Sequence, residues 1–148
     1  MEKNFVKVQS SKDIITSISL IILGAALALL PLGGATNVTG ICVAITGLIL
    51  VFTLKNGYKE SESGERFVKK EHYYPENMKA ELQSAVATNP NTIAQGSGDK
   101  GNAIRLEIFY NRQSGKAFVQ LFEYVPYKYQ PCTDMMEYNL SQIENLIK

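Results

Sequence analysis

Tryptophan is absent from this 148-residue chain, cysteine occurs twice and histidine once. Each scarcity removes something. Without an indole to mark a membrane interface, Tyr58 is the residue placed to serve there. Cys42 lies in an apolar run and Cys132 in a polar tail, so no disulfide framework is expected, which suits a reducing compartment for the tail. The lone His72 sits in "KEHYY" with no second ligand at a metal-binding spacing, and reads as a solvent-facing structural side chain. No Ser/His/Asp arrangement, metal-ligand cluster or Walker pattern is present, so no catalytic residue, cofactor or metal site is expected. A net charge of +1 gives no reason to expect nucleic-acid binding.

The largest absence is of charge between Asp13 and Lys55. Two apolar runs fill that gap, at 14–32 and 38–54. A bilayer core of about 30 Å takes about 20 apolar residues at a helical rise of 1.5 Å. The first run has that length; the second is at the short end, and Asn37 or Tyr58 can extend it into the interfaces. Between them "PLGGATN" breaks the helix at Pro31, Gly33 and Gly34, and Thr36 or Asn37 is placed to cap the next one. So short a link dictates two neighbouring antiparallel transmembrane helices. In lipid such helices associate by close backbone approach. Gly24 and Ala28 on the first, with Gly40, Ala44 and Gly47 on the second, are the candidate packing residues.

Two other readings of the first run are weaker. A cleaved signal peptide fits Lys3, Lys7, Lys12 and the "GGA" at Gly33 to Ala35, but the run is long and Asp13 abuts it. A buried hairpin in a soluble protein would need a larger partner domain than the tail provides. Lys3, Lys7 and Lys12 before the first helix, and Lys55, Lys59, Arg66, Lys69 and Lys70 after the second, place both termini in the cytoplasm at the plasma (inner) membrane. The second group reads as an orientation signal rather than a lipid-binding site, because Glu60, Glu62 and Glu65 dilute it.

Residues 1–13 thus form a cytoplasmic segment, 14–54 a transmembrane hairpin, 55–65 a polar juxtamembrane linker and 66–148 a cytoplasmic α+β domain. The domain reads β-α-β-β-α. A strand is expected at 66–73 and a helix at 75–88, with Met78, Leu82, Ala85 and Val86 as its stripe. Strands follow at 103–111 and 116–125, joined by a turn at Gly115. The second has Ala117, Val119, Leu121 and Val125 on one face and Phe118, Phe122 and Tyr124 on the other. A final helix is expected at 134–147, capped by Thr133 or Asp134, with Met136, Leu140, Ile143 and Ile147 inward.

Several motifs are outweighed by plainer readings. Gly96 to Gly101 matches G-x-G-x-x-G, but no strand precedes it and no helix follows, so it is a loop. Cys132 opens the expected last helix, where a thiol can be activated, yet it has no basic neighbour in sequence. Glu107 and Glu123 lie on adjacent strands and can face each other if the register allows; solvated surface charge is the default.

The distinctive feature of the tail is aromatic. Phe118, Phe122 and Tyr110 fit a core. Tyr124, Tyr127, Lys128 and Tyr129 straddle Pro126 in a proline-bracketed segment, and they are the candidate surface for a partner or ligand. The expected function is non-enzymatic: a membrane-tethered cytoplasmic domain with an accessory, sensor or assembly role. Its partners are the lipid bilayer and either a protein or a second copy. The alternatives are a membrane effector that oligomerises through its hairpin to permeabilise the bilayer, and a tethered enzyme acting through Cys132 or the two glutamates.

Overall fold

A computed structural model describes residues 2–148. The fold is α+β: a hairpin of two apolar helices, and seven antiparallel strands with short helices among the described residues. The chain divides into two compact units. One is Val6–Lys59. The other joins the residues up to Phe5 with Glu60–Lys148.

The first unit is dominated by α1 (Ser11–Leu29) and α2 (Gly34–Thr53). α1 starts on a capping box: the Asp13 amide donates to Ser10 Oγ at 3.2 Å, and the Ser10 amide donates to Asp13 Oδ2 at 2.9 Å. The turn is tighter than the sequence suggests. α2 begins at Gly34, with Gly33 at φ 111° and no side-chain cap, instead of starting after a cap at Thr36 or Asn37. Two adjacent glycines let the backbone reverse at once, so the caps are not needed. The helices then run in backbone contact. A Cβ placed on Gly24 would lie 2.3 Å from the Ala44 amide nitrogen and 2.6 Å from the Gly40 carbonyl oxygen. One on Gly40 would lie 2.4 Å from the Ala28 nitrogen, and one on Gly47 would lie 2.9 Å from the Ser17 carbonyl oxygen. Only glycine fits at these three places.

At the open end of the hairpin, Asp13 ties the helices together. Its Oδ1 accepts from Asn56 Nδ2 at 2.7 Å, and its Oδ2 accepts from the Asn56 amide at 3.0 Å. Gln9 Nε2 donates to the Val51 carbonyl. Two short neighbouring strands flank the helices, β1 (Phe5–Val8) and β2 (Gly57–Glu60). β2 lies inside the stretch expected to be a polar linker. Outward, the hairpin is predominantly apolar, with Ile15, Ile22, Leu29, Ile41, Leu48 and Phe52 exposed. Both helices are long and apolar enough to cross a membrane.

In the second unit β3 (Arg66–Tyr74), β4 (Ile104–Asn111) and β5 (Lys116–Val125) form the centre of the sheet. β6 (Lys128–Pro131) pairs with the end of β5, and β7 (Met136–Asn139) pairs with its beginning. Period-two alternation sends Leu106, Ile108, Ala117, Val119 and Leu121 to one face. There they meet Leu82 and Val86 of α3 (Lys79–Thr88) and Leu146 and Ile147 of the one-turn α4 (Glu144–Ile147). The expected start at Pro75 becomes a 3-10 turn, Glu76–Met78, leading into α3.

The helix expected at 134–147 does not form as such. Met136 and Tyr138 alternate on β7, a 3-10 turn follows at Leu140–Gln142, and only the last turn is α-helical. β5 would otherwise leave a row of unpaired backbone groups at Lys116–Val119, and β7 satisfies them. Tyr138 Oη bonds to the Val86 carbonyl, and Asn139, not Thr133 or Asp134, makes the capping box, with Gln142. Thr133 Oγ1 instead accepts from the Leu121 amide at 3.0 Å. Ile143 and Ile147 are in the core as expected, reached by a different backbone path.

The opposite sheet face carries an aromatic cluster built with a residue from before the hairpin. The Phe5 ring stacks on Phe109, centroids 4.1 Å apart and 3° from parallel, and meets Phe67 edge-on at 5.4 Å. Phe118 closes the group at 5.6 Å from Phe67. Lys3 reinforces it, pairing with the buried Glu60 at 2.6 Å and lying 5.9 Å from the Phe118 ring centroid.

Candidate functional site

The β5–β6 hairpin sets the geometry of the tyrosine segment. Val125 pairs with Lys128 and Tyr124 with Tyr129, leaving Pro126 and Tyr127 as a two-residue tip. Tyr127 has φ 74°, the one positive φ outside glycine among the described residues, and its side chain is 96% exposed. The left-handed region costs a bulky L-residue about 1 kcal/mol or more, and glycine or asparagine is the ordinary occupant of such a tip. Tyr124 is 53% exposed, and Lys128 projects into solvent.

Tyr129 is different in kind. Its hydroxyl donates to the Asn102 carbonyl at 2.7 Å, its ring meets Tyr124 edge-on at 5.3 Å, and the Arg105 guanidinium lies 4.2 Å from its centroid. Tyr129 therefore positions the strand, while Tyr124 and Tyr127 present free ring area. The four residues fall on one hairpin, but only the first three offer surface.

A charged array continues from Tyr129 across the same sheet face. Arg105 lies between the Phe122 and Tyr129 rings and bonds Glu107 Oε1 at 2.8 Å. Lys69 pairs with Glu107 at 2.8 Å and with Glu71 at 2.7 Å. Tyr73 Oη donates to Glu71 Oε2 at 2.6 Å. Burial pulls the Lys69 ammonium down, but hydrogen bonds to Glu107 and Glu71 outweigh it and leave the group raised. Burial pushes Glu71 up, and its bonds from Lys69 and Tyr73 more than reverse that, so it is lowered. Burial and the bond to Glu71 push Tyr73 up to about 12. This array is internally paired. It supports the sheet and leaves little charge over for a ligand.

The other sequence candidates are placed apart. Glu107 faces Gln120 and Glu123 faces Ile104 across the β4–β5 pair, so the two carboxylates point to opposite sides of the sheet and cannot act together. Glu123 pairs instead with Lys79. His72 is buried rather than solvent-facing: Nε2 lies 2.7 Å from the Leu146 carbonyl oxygen, strapping α4 to β3. The helical turn that supplies this acceptor was expected from sequence, but its pairing with His72, far away in the chain, was not.

Cys132 opens no helix. It follows β6 beside a cleft of about 580 Å³, which is also lined by Glu2, Gln120, Thr133 and Asp134. Burial, then the charge of Glu123, pushes its thiol up, which is the wrong direction for a nucleophile. Gly96 to Gly101 is a loop leading into β4. Its Ser97 exchanges backbone bonds with Tyr73 at 3.0 and 3.1 Å, and the Gly101 amide donates to Asp99 Oδ1. No group of three or more potential metal ligands occurs among the described residues.

Gly24, Ala28, Gly40, Ala44 and Gly47 sit at the crossing of α1 and α2, turned toward each other.

No family model, curated protein or solved structure matches this chain.

Proposed function

We propose that this is an integral membrane protein whose helical hairpin holds an α+β domain at the cytoplasmic face of the plasma (inner) membrane, where the domain binds a partner or ligand without catalysing a reaction. The observation that carries the binding role is Tyr127. A bulky aromatic held at φ 74° and 96% exposed contributes nothing visible to the fold, and it occupies a position where glycine would be more stable. Together with the half-exposed Tyr124 and with Lys128 it offers a rigid aromatic and cationic tip, the composition typical of residues that dominate protein interfaces.

Two observations support the anchor and its orientation. The outward faces of α1 and α2 are predominantly apolar and carry no charge between Ile14 and Leu54. Phe5 and Lys3 belong to the same compact unit as Glu60–Lys148, so the chain leaves that unit and returns to it around the hairpin. An even number of crossings satisfies this, with both ends on the lysine-rich side.

The membrane-effector alternative loses its nominated contacts. Gly24, Ala28, Gly40 and Ala44 are occupied within the chain, and a permeabilising oligomer would need another face. The enzyme alternative loses both of its candidates, the activated Cys132 thiol and the facing glutamates.

A photo-crosslinking residue in place of Tyr127, in native membranes, tests the binding role. A discrete adduct at 127 that is absent when the same residue replaces the exposed Val68 supports it. No adduct at either position contradicts it.

A further inference from the structure

The units redistribute the basic residues that look like one juxtamembrane cluster in sequence. Lys69 is spent on Glu71 and Glu107, and Lys70 donates to the Lys148 carbonyl at 2.8 Å. Two of the diluting acids are engaged by Lys3, Glu60 at 2.6 Å and Glu62 at 3.5 Å. Glu60 is buried, and Glu60, Glu62 and Glu65 all fall in the unit that contains the sheet.

What remains in Val6–Lys59 is Lys7, Lys12, Lys55 and Lys59 against one acid, Asp13, a net of +3 from four lysines less one aspartate. All four lysines are exposed, and none enters an ion pair among the described residues. Asp13 forms no ion pair with them among the described residues, its oxygens being bonded to Ser10 and Asn56, and its single charge is already counted in the net.

The same Asp13–Asn56 bonds gather the lysines at one end of the hairpin. Lys12 adjoins Asp13, Lys55 adjoins Asn56, and Lys7 and Lys59 lie on the neighbouring strands β1 and β2. The opposite end, from Leu30 to Asn37, has no charge of either sign. A net cationic collar at one end of an apolar rod meets the membrane at headgroup depth.

We infer that Lys7, Lys12, Lys55 and Lys59 form a binding surface for anionic phospholipid headgroups. The inference rests on the hairpin's being in the membrane. Each lysine near an anionic surface favours it by up to about fivefold. The attraction falls with salt, since the screening length shortens to about 3 Å at 1 M.

The test reconstitutes the full chain in phosphatidylcholine vesicles and compares spin-labelled phosphatidylglycerol with spin-labelled phosphatidylcholine as boundary lipid. Phosphatidylglycerol is expected to associate several-fold more strongly at low salt and nearly equally at about 1 M. The combined variant K7Q/K12Q/K55Q/K59Q is expected to remove the preference, and K100Q, at an exposed lysine of the other unit, to keep it. Equal association of the two lipids with the wild-type protein overturns the inference, as does a preference that survives the fourfold substitution. If neither lipid shows a motionally restricted population, the membrane placement itself fails, which is a different result from lost selectivity.

Discussion

The ring of Phe5 lies flat on that of Phe109, 4.1 Å between centroids, although the whole hairpin separates them in the chain. A domain that looks C-terminal in sequence is therefore completed by residues that precede the first helix. Replacing Phe5 by Ala opens the cluster of Phe67, Phe109 and Phe118 and should destabilise the Glu60–Lys148 unit by about 2–4 kcal/mol. Thermal unfolding of the detergent-solubilised protein, followed by tyrosine circular dichroism, measures this. An unchanged midpoint would mean that the N-terminal residues are dispensable to the domain.

Tyr127 makes the opposite kind of prediction. Because its φ of 74° favours glycine, Tyr127→Gly should raise stability by about 1 kcal/mol while removing partner binding. Denaturant midpoints give the first quantity, and a crosslinker placed at Tyr124 gives the second. A variant that is less stable would show that the exposed ring serves the fold after all.

Within the hairpin, the contacts at Gly24 and Gly40 are with backbone atoms of the facing helix, which cannot swing aside. Gly24→Val or Gly40→Val should force the helices apart. Thermal unfolding of the detergent-solubilised protein would report it: the midpoint should fall in either valine variant, and an unchanged midpoint would mean that the close approach of the helices is not needed. Gly33→Ala tests the turn separately, by backbone strain at φ 111° without any clash.

Much of this was legible in the sequence, for identifiable reasons. The uncharged interval between Asp13 and Lys55 marks both helices, because each apolar run is of the length a bilayer core requires. The alternation in Ile104, Leu106 and Ile108 marks β4, because each strand face has one environment. What was hidden depends on long-range pairing. Met136, Leu140, Ile143 and Ile147 satisfy a helical period, and only the unpaired edge of β5 favours β7. Phe5 has no local pattern at all; its meaning lies in three rings far along the chain. For the candidate site, the Pro126 signal located the tip, but the sequence could not show that Tyr129 is consumed by Asn102 and Arg105 while Tyr127 is free.

Acid stability follows from two glutamates held by hydrogen bonds and lysines, Glu71 in the array on the sheet and Glu60 against Lys3. Glu71 and Glu60 are both lowered from the usual glutamate value of 4.5. A lowered carboxylate contributes stability above its unfolded pKa, and that contribution is lost as pH falls through the folded value. Stability should therefore decline progressively below about pH 4.5, and the slope should be shallower in Glu71→Gln. Unfolding midpoints between about pH 3 and pH 7 check this; parallel profiles for parent and variant would remove Glu71 from the account.

The central claim is a two-helix anchor whose two ends emerge on one side of the membrane, and site-directed labelling tests it most directly. In a chain carrying Cys42→Ser and Cys132→Ser, single cysteines replace Glu2, Leu32 or Tyr127. A membrane-impermeant maleimide is then applied to intact cells and to inverted vesicles. Cysteines at 2 and 127 are expected to react only in inverted vesicles, and one at 32 only in intact cells. Reaction of 2 and 127 from opposite sides, or of 32 from the same side as 127, would contradict the account.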